Sequence, residues 1–243
     1  MQSIEVERLF SGLIGAEYDL LAVACPAAAH LSRRVGEAVA ACNPGRPLRV
    51  FEIGCGTGIT SLSLLLARED ITVTAVDNEP AMLDQARVHL ASWLARKRLR
   101  LLEADALSGL KALPEASVDV VASGYAVHNF RQDYRAQVLE EIYRVLKPGG
   151  AFINGDRYAL DDAAAHTRLT QDEVRHWFKS FAAIGRYDLL EQWIVHLFSD
   201  ESEDHIMRLA PALASLESLG FEPVEILFRD GVNTLLLAVK PMP

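Results

Sequence analysis

The stretch Val50-Phe51-Glu52-Ile53-Gly54-Cys55-Gly56-Thr57-Gly58 constrains this 243-residue chain more than any other. An apolar run, Leu48 to Ile53, ends in glycines at every second position, and the Leu-rich segment Ile59 to Ala67 follows. This order predicts a strand, a tight turn and a helix, the arrangement that brings backbone N–H groups up to an anionic or polar ligand. Glycine suits such a turn because a residue without Cβ permits both the close approach and left-handed dihedrals.

The spacing narrows the choice. The dinucleotide fingerprint G-x-G-x-x-G would place glycine at 59, where Ile59 stands, so the pattern is E-x-G-x-G-x-G with Glu52 two residues ahead of the first glycine. A nucleotide-binding variant and a turn without a ligand remain the alternatives at this point.

From residue 48 onward strands and helices alternate. Ile71 to Val76 is a β-branched run closed by Asp77, and Pro80 opens a helix with Leu83, Ala86, Leu90, Trp93 and Leu94 on one face. Leu99 to Leu102 and Val118 to Ala122 read as strands, Tyr134 to Leu146 as a helix. Lys147-Pro148-Gly149-Gly150 then turns the chain into a strand over Ala151 to Asn154. The alternation predicts an α/β fold with a doubly wound, mostly parallel sheet. Residues 3–14 carry apolar positions at helical spacing, and an Ala-rich segment runs to Ala41 before the breaker Asn43-Pro44-Gly45-Arg46-Pro47. Past Asp156 the alternation stops in favour of helix, and a last helix is expected over His205 to Leu219. Val224 to Phe228 and Val232 to Val239 form a hairpin across Arg229-Asp230-Gly231, making the final strand antiparallel. The expected organisation is a helical preface (1–47), a ligand-binding core (48–156), a helical cap insert (157–204) and a C-terminal helix and hairpin (205–243).

Composition excludes several classes. Half the residues are apolar, enough for a full core. The formal net charge of −9 argues against direct nucleic-acid binding, whose footprint is basic; Arg96-Lys97-Arg98 reads as a solvated turn. The three cysteines, Cys25, Cys42 and Cys55, show neither pairing nor metal spacing. With no run of 18 or more apolar residues, the expectation is a cytoplasmic protein without a membrane anchor.

Ligands of open α/β sheets bind beyond the carboxyl ends of the strands. Those ends are Gly54–Gly58, Asp77-Asn78, Asp105-Ala106, Ser123-Gly124 and Gly155-Asp156. Asp77, 23 residues after Gly54, stands where an acid accepts ribose hydroxyls, with capping of the Pro80 helix as its other reading. Met82 could cover a purine face or be core. Asp105 could accept an exocyclic amine or cap a turn.

Taken together, Glu52 to Gly58, Val76-Asp77, Glu103-Ala104-Asp105-Ala106, Val118-Asp119-Val120-Val121 with Ser123, and Val145-Leu146-Lys147-Pro148-Gly149-Gly150 resemble the signature of the class I S-adenosyl-L-methionine (SAM) dependent methyltransferases over roughly residues 48–155. The resemblance implies a seven-stranded sheet with a reversed last strand. It also implies a SAM site drawing on Glu52, Gly54, Cys55, Gly56, Asp77, Asn78, Met82, Asp105, Ala106 and Ser123. Ala16-Glu17-Tyr18-Asp19 resembles the A-x-Y-D preface of small-molecule members, which would set Tyr18 at the methionine end of SAM. The helical insert and Phe198-Ser199-Asp200-Glu201-Ser202-Glu203-Asp204-His205 resemble more narrowly the carboxy-SAM synthase group. That group holds an extra carboxylate with a cation at about the place of Leu189 or Leu190 here.

Methyl transfer from a sulfonium is an in-line displacement, so a base is needed only where the acceptor must lose a proton. His128, past the fourth strand, and Asp156, past the fifth, are the catalytic candidates. His166, His176 and His196 lack metal-ligand spacing, and no metal is expected. The chain is expected to methylate a small apolar or aromatic acceptor beneath the insert, with carboxy-SAM synthesis and SAM binding without turnover as alternatives. Whether the insert and residues 1–41 form a homodimer surface or a lid stays open.

Overall fold

The computed structural model describes residues 27–43 and 45–243. Seven strands, β1 (Leu48–Ile53), β2 (Ile71–Asp77), β3 (Leu99–Glu103), β4 (Val118–Gly124), β5 (Leu146–Arg157), β6 (Val224–Asp230) and β7 (Asn233–Val239), form one sheet in the order β3-β2-β1-β4-β5-β7-β6. Six run parallel and β7 runs antiparallel to both of its neighbours, as the hairpin signal implied. The described helices are α1 (Ala27–Ala41), α2 (Ile59–Ala67), α3 (Pro80–His89), α4 (Ala91–Ala95), α5 (Ala106–Lys111), α6 (Gln132–Val145), α7 (Ala163–Ala183), α8 (Tyr187–Asp200) and α9 (Leu209–Ser218). The expected helix over 3–14 and Tyr18 lie outside the described residues.

Successive strand side chains point to opposite faces, and the burial pattern shows both faces covered. Val50, Val73 and Val120 pack with Leu31, Val35 and Val39 of α1 and with Leu64 and Leu65 of α2. Phe51, Val121 and Phe152 pack on the other side with Leu110 of α5, Val138 and Ile142 of α6 and Leu216 of α9. A third, smaller core joins the two cap helices α7 and α8 through Trp177, Phe181, Leu189, Leu190, Trp193 and Leu197, with Ala28 of α1. No helix among the described residues is long and apolar enough to cross a membrane.

Three boundaries differ from the pattern reading. The helix from Pro80 breaks at Leu90, whose side chain is buried beneath Gly58, and resumes as α4. β5 begins at Leu146 rather than Ala151, because Lys147–Gly150 bulge out of a strand already paired at Val118–Leu146 before Ala151 rejoins opposite Val120. The last helix starts at Leu209, not His205. Met207 accepts from the Ala159 N–H and Leu209 donates to the Ala159 carbonyl, which holds the chain extended beside the exit of β5.

Candidate functional site

Strand order reverses between β1 and β4, so the loops leaving their carboxyl ends face each other. The contact is close. A Cβ on Gly54 would lie 2.3 Å from Ala126 Cβ, and Gly54 also has φ +65°. A Cβ on Gly124 would lie 2.3 Å from Thr60 Oγ1, which in turn donates to Ser32 of α1 at 2.9 Å. Gly54 and Gly124 thus let the two loops pack together, while a Cβ on Gly58 would meet Leu90 instead; Ala28, Ser32, Gly54–Thr57, Ile59, Thr60, Gly124 and Tyr125 line the hollow between the loops.

Three acids lie along this edge. Glu52 is fully buried; its Oε2 accepts from Ser61 Oγ at 2.6 Å and its Oε1 has no hydrogen-bond partner. Burial, partly offset by Ser61 and reinforced by the charge of Asp77, pushes its carboxyl up to about 8. Asp77 closes β2 and ties the glycine loop to it, Oδ2 accepting from Gly56 N–H at 2.7 Å and Oδ1 from Glu79 N–H at 2.9 Å. Burial raises its pKa, against those backbone bonds. Asp105 caps α5 through Ser108 N–H at 2.9 Å and accepts from Tyr134 Oη at 2.8 Å. Burial works against its charge, but these bonds outweigh it and hold the carboxyl below its ordinary value.

The other sequence candidates divide. Asn78 and Ala106 follow the ends of β2 and β3 as expected, the second as the first residue of α5. Cys55 is buried in the core, so it meets the site through its backbone, and burial pushes its thiol up. Met82 is a buried residue of α3. Ser123 is buried within the sheet, its hydroxyl donating to the Ile53 carbonyl at 3.2 Å. Asp119, at the opposite end of β4, holds Arg49 N–H and Lys147 Nζ.

Past β4, residues Val127–Asn129 make one 3₁₀ turn. Asp156, fully buried at the end of β5, fixes it by accepting from the N–H of Val127 (2.9 Å) and of His128 (3.2 Å). Its Oδ1 accepts from His128 Nδ1 at 2.5 Å and from Arg157 N–H at 2.9 Å. With four donors in place, both Asp156 oxygens are engaged in holding this turn and the His128 ring. Asp156 engages Nδ1, so Nε2 is the ring nitrogen left facing away from that carboxylate. Arg135 of α6 staples the same turn by donating to the carbonyls of Val127, His128, Phe130 and His205. Burial lowers its pKa to about 10, against the charges of Asp156, Tyr158 and Asp200.

Residues 50–150 match a family profile described as a methyltransferase domain. Those residues carry a methyltransferase domain. The methyltransferase domain covers β1 to the start of β5 and so contains both facing loops. The chain is 26% identical over 197 residues to a carboxy-S-adenosyl-L-methionine synthase of Photobacterium profundum, covering 79% of this chain and 75% of that protein. Among solved structures it is similar to an O-methyltransferase family protein from Burkholderia thailandensis (TM-score 0.64, 18% identity, 89% of this chain) and to the CurJ carbon methyltransferase (TM-score 0.62, 16% identity, 93% of this chain). It spans 58% and 59% of those two chains. One is named for oxygen and the other for carbon, so the fold does not choose the acceptor atom.

The residues present fit SAM. Its ammonium and sulfonium are cations, and Glu52 offers a buried acceptor oxygen without a partner beside the glycine loop. Asp77 and the loop N–H groups supply polar atoms for a nucleoside at the adjoining strand end.

Sequence reasoning passed over Tyr125 and Arg135 and did not pair His196 with Asp200. Tyr125 has φ +56°, rare for a side-chain-bearing residue, and its ring joins the sheet core to the cap core while its hydroxyl donates to Asn233. Arg135 looked like an ordinary helix charge. His196 and Asp200 share a face of α8 at i, i+4, a signal present in the sequence, but only folding brings them to His128.

Proposed function

We propose that this protein transfers the SAM methyl group to a small-molecule acceptor held between the strand ends and the α7–α8 cap. The observation that carries this reading is the Asp77 carboxylate bonded to Gly56 N–H at 2.7 Å, which joins the β2 acid and the glycine loop into one binding edge at the switch point. Binding of the nucleoside falls to this edge and to the end of β3, with Glu52 beside the methionine end. SAM brings the electrophile, a methyl on a positively charged sulfur. The chain's own task is to hold an acceptor atom in line with that methyl and keep water out. For an acceptor that bears a proton, His128 Nε2 is the group placed to receive it, with Asp156 fixing the ring. The cap is itself built on an apolar core of Trp177, Phe181 and Trp193, and an apolar or aromatic acceptor is the class proposed to lie beneath it.

Carboxy-SAM synthesis is the second reading, favoured by the name of the P. profundum relative. Against it, Leu189 and Leu190 are buried in the cap core, so no cation stands at that place for an extra carboxylate.

SAM labelled with ¹³C at the methyl separates the two. Methyl transfer moves the label to the acceptor and leaves S-adenosylhomocysteine, whereas carboxylation keeps the label attached to sulfur. Incubation with a panel of hydroxy-aromatic, amine and thiol acceptors, run alongside a panel of carboxylic-acid metabolites as carboxyl donors, is expected to release unlabelled S-adenosylhomocysteine with the acceptors alone. Label retained on a heavier SAM derivative would overturn the first reading in favour of the second.

A further inference from the structure

We infer that His128, His196 and Asp200 form a binding site for one divalent transition-metal ion of the zinc type, at the seam between the sheet and the cap. His128 reaches it from the turn after β4, and His196 and Asp200 from one face of α8. All three side chains are at least nine-tenths buried, and their donor atoms lie within 4.8 Å of one another.

The spacing is that of ligands sharing an ion. His196 Nε2 lies 3.5 Å and His128 Nε2 3.8 Å from Asp200 Oδ2, both too long for good hydrogen bonds. Two metal bonds of about 2.0–2.2 Å at a tetrahedral angle hold their donors about 3.3–3.6 Å apart. A few tenths of an ångström of closure brings His128 Nε2 into that range of Asp200 Oδ2, and the two imidazole nitrogens lie within 4.8 Å of each other. The other Asp200 oxygen, Oδ1, is buried without a hydrogen-bond partner, an arrangement that a cation would relieve.

The outer shell is in place as well. A ligating histidine donates its other N–H to a carboxylate, and the 2.5 Å bond from His128 Nδ1 to Asp156 is that contact. Two imidazoles and one carboxylate suit zinc and its first-row neighbours over calcium or magnesium, which take oxygen ligands. Asp156 and Asp200 together offset the charge of a divalent ion, while Arg135 and Arg157 face the same cluster from α6 and β5.

Three protein donors leave a tetrahedral ion one position for water or for another ligand. Resting on the methyl-transfer reading, that position would take the acceptor, and the ion would lower the pKa of an acceptor hydroxyl held there, so that its oxygen could displace S-adenosylhomocysteine from the methyl with the proton passing to solvent. His128 would then act on the acceptor as a ligand and not as a free base. Metal binding itself does not depend on that reading.

The test is a calorimetric titration of the full chain, stripped with chelator, with zinc chloride. Thermal unfolding and the visible spectrum of the cobalt-loaded protein accompany it. One equivalent should bind, raise the unfolding temperature and give the intense visible bands of four-coordinate cobalt. Asp200→Asn and His196→Gln should each weaken binding by more than about a hundredfold, beyond what loss of an outer-shell partner gives. Both should leave SAM binding intact, so that a failed metal site and a failed cofactor site are told apart. Absence of stoichiometric binding, or equal binding by Asp200→Asn, would overturn the site. Should both variants misfold by circular dichroism, six-coordinate cobalt in the native chain would overturn it as well.

Discussion

His128 and Asp156 are joined at 2.5 Å across the ends of β4 and β5, and the same carboxylate also holds the backbone N–H of His128. One buried acid therefore sets both where the histidine sits and which nitrogen it presents. Asp156→Asn places an amide where four donors converge, leaving at least one unsatisfied. A loss of about 1–3 kcal/mol in urea-denaturation stability is expected. Methyl transfer to a proton-bearing acceptor should fall by at least an order of magnitude, while SAM affinity stays within about twofold. Equal loss of both would show that Asp156 serves the fold alone.

Glu52 gives a pH dependence of known sign. Its carboxyl is raised by burial to about 8 from its ordinary value of 4.5. Between those values the native state holds a proton that the unfolded chain releases, so stability falls as pH rises from 4.5 to about 8 and levels off above. The change is of order a few kcal/mol. Glu52→Gln should flatten it in denaturant melts taken across that range. Because a bound cation favours the carboxylate, SAM binding below pH 8 should release a proton, seen as a calorimetric enthalpy that varies with the ionisation heat of the buffer.

Two glycines with similar dihedrals separate strain from close approach. Gly54 (φ +65°) would bring a Cβ to 2.3 Å from Ala126 Cβ, whereas Gly185 (φ +69°) has nothing within 4 Å of that position. Gly185→Ala should cost about 1 kcal/mol, the left-handed penalty alone. Gly54→Ala should add overpacking of about 1–3 kcal/mol and weaken SAM binding as the loops part. Equal stability changes in thermal melts would show that the β1 and β4 loops do not pack as tightly as their backbones indicate.

Much of this was legible in the sequence, for physical reasons. The glycine spacing, the β-branched strands and the Asp-Gly hairpin signal are local, and each led to the element it implied. Asp77 and His128 were placed because strand ends are places that alternation marks. What pattern could not carry was the use of each side chain after folding. Ser123 is a sheet tie and Asp156 a fully bonded anchor, depending on partners 70 and 29 residues away, whereas the capping role of Asp105, three residues from its partner, was among the sequence readings. His196 lies 68 positions from His128 in the chain, and their meeting required α8 to fold over the β4 turn.

The most direct measurement of the central claim is a calorimetric titration of the purified protein with SAM and with S-adenosylhomocysteine, repeated on Asp77→Ala and Asp77→Asn. Both compounds should bind the native chain. Asp77→Ala should lose about 1.5–3 kcal/mol, the worth of hydrogen bonds to a charged group, or roughly tenfold or more in affinity. Asp77→Asn, which keeps one acceptor oxygen for the glycine loop, should fall between. Failure of the native chain to bind either compound would contradict the account and leave the glycine loop to a different nucleotide.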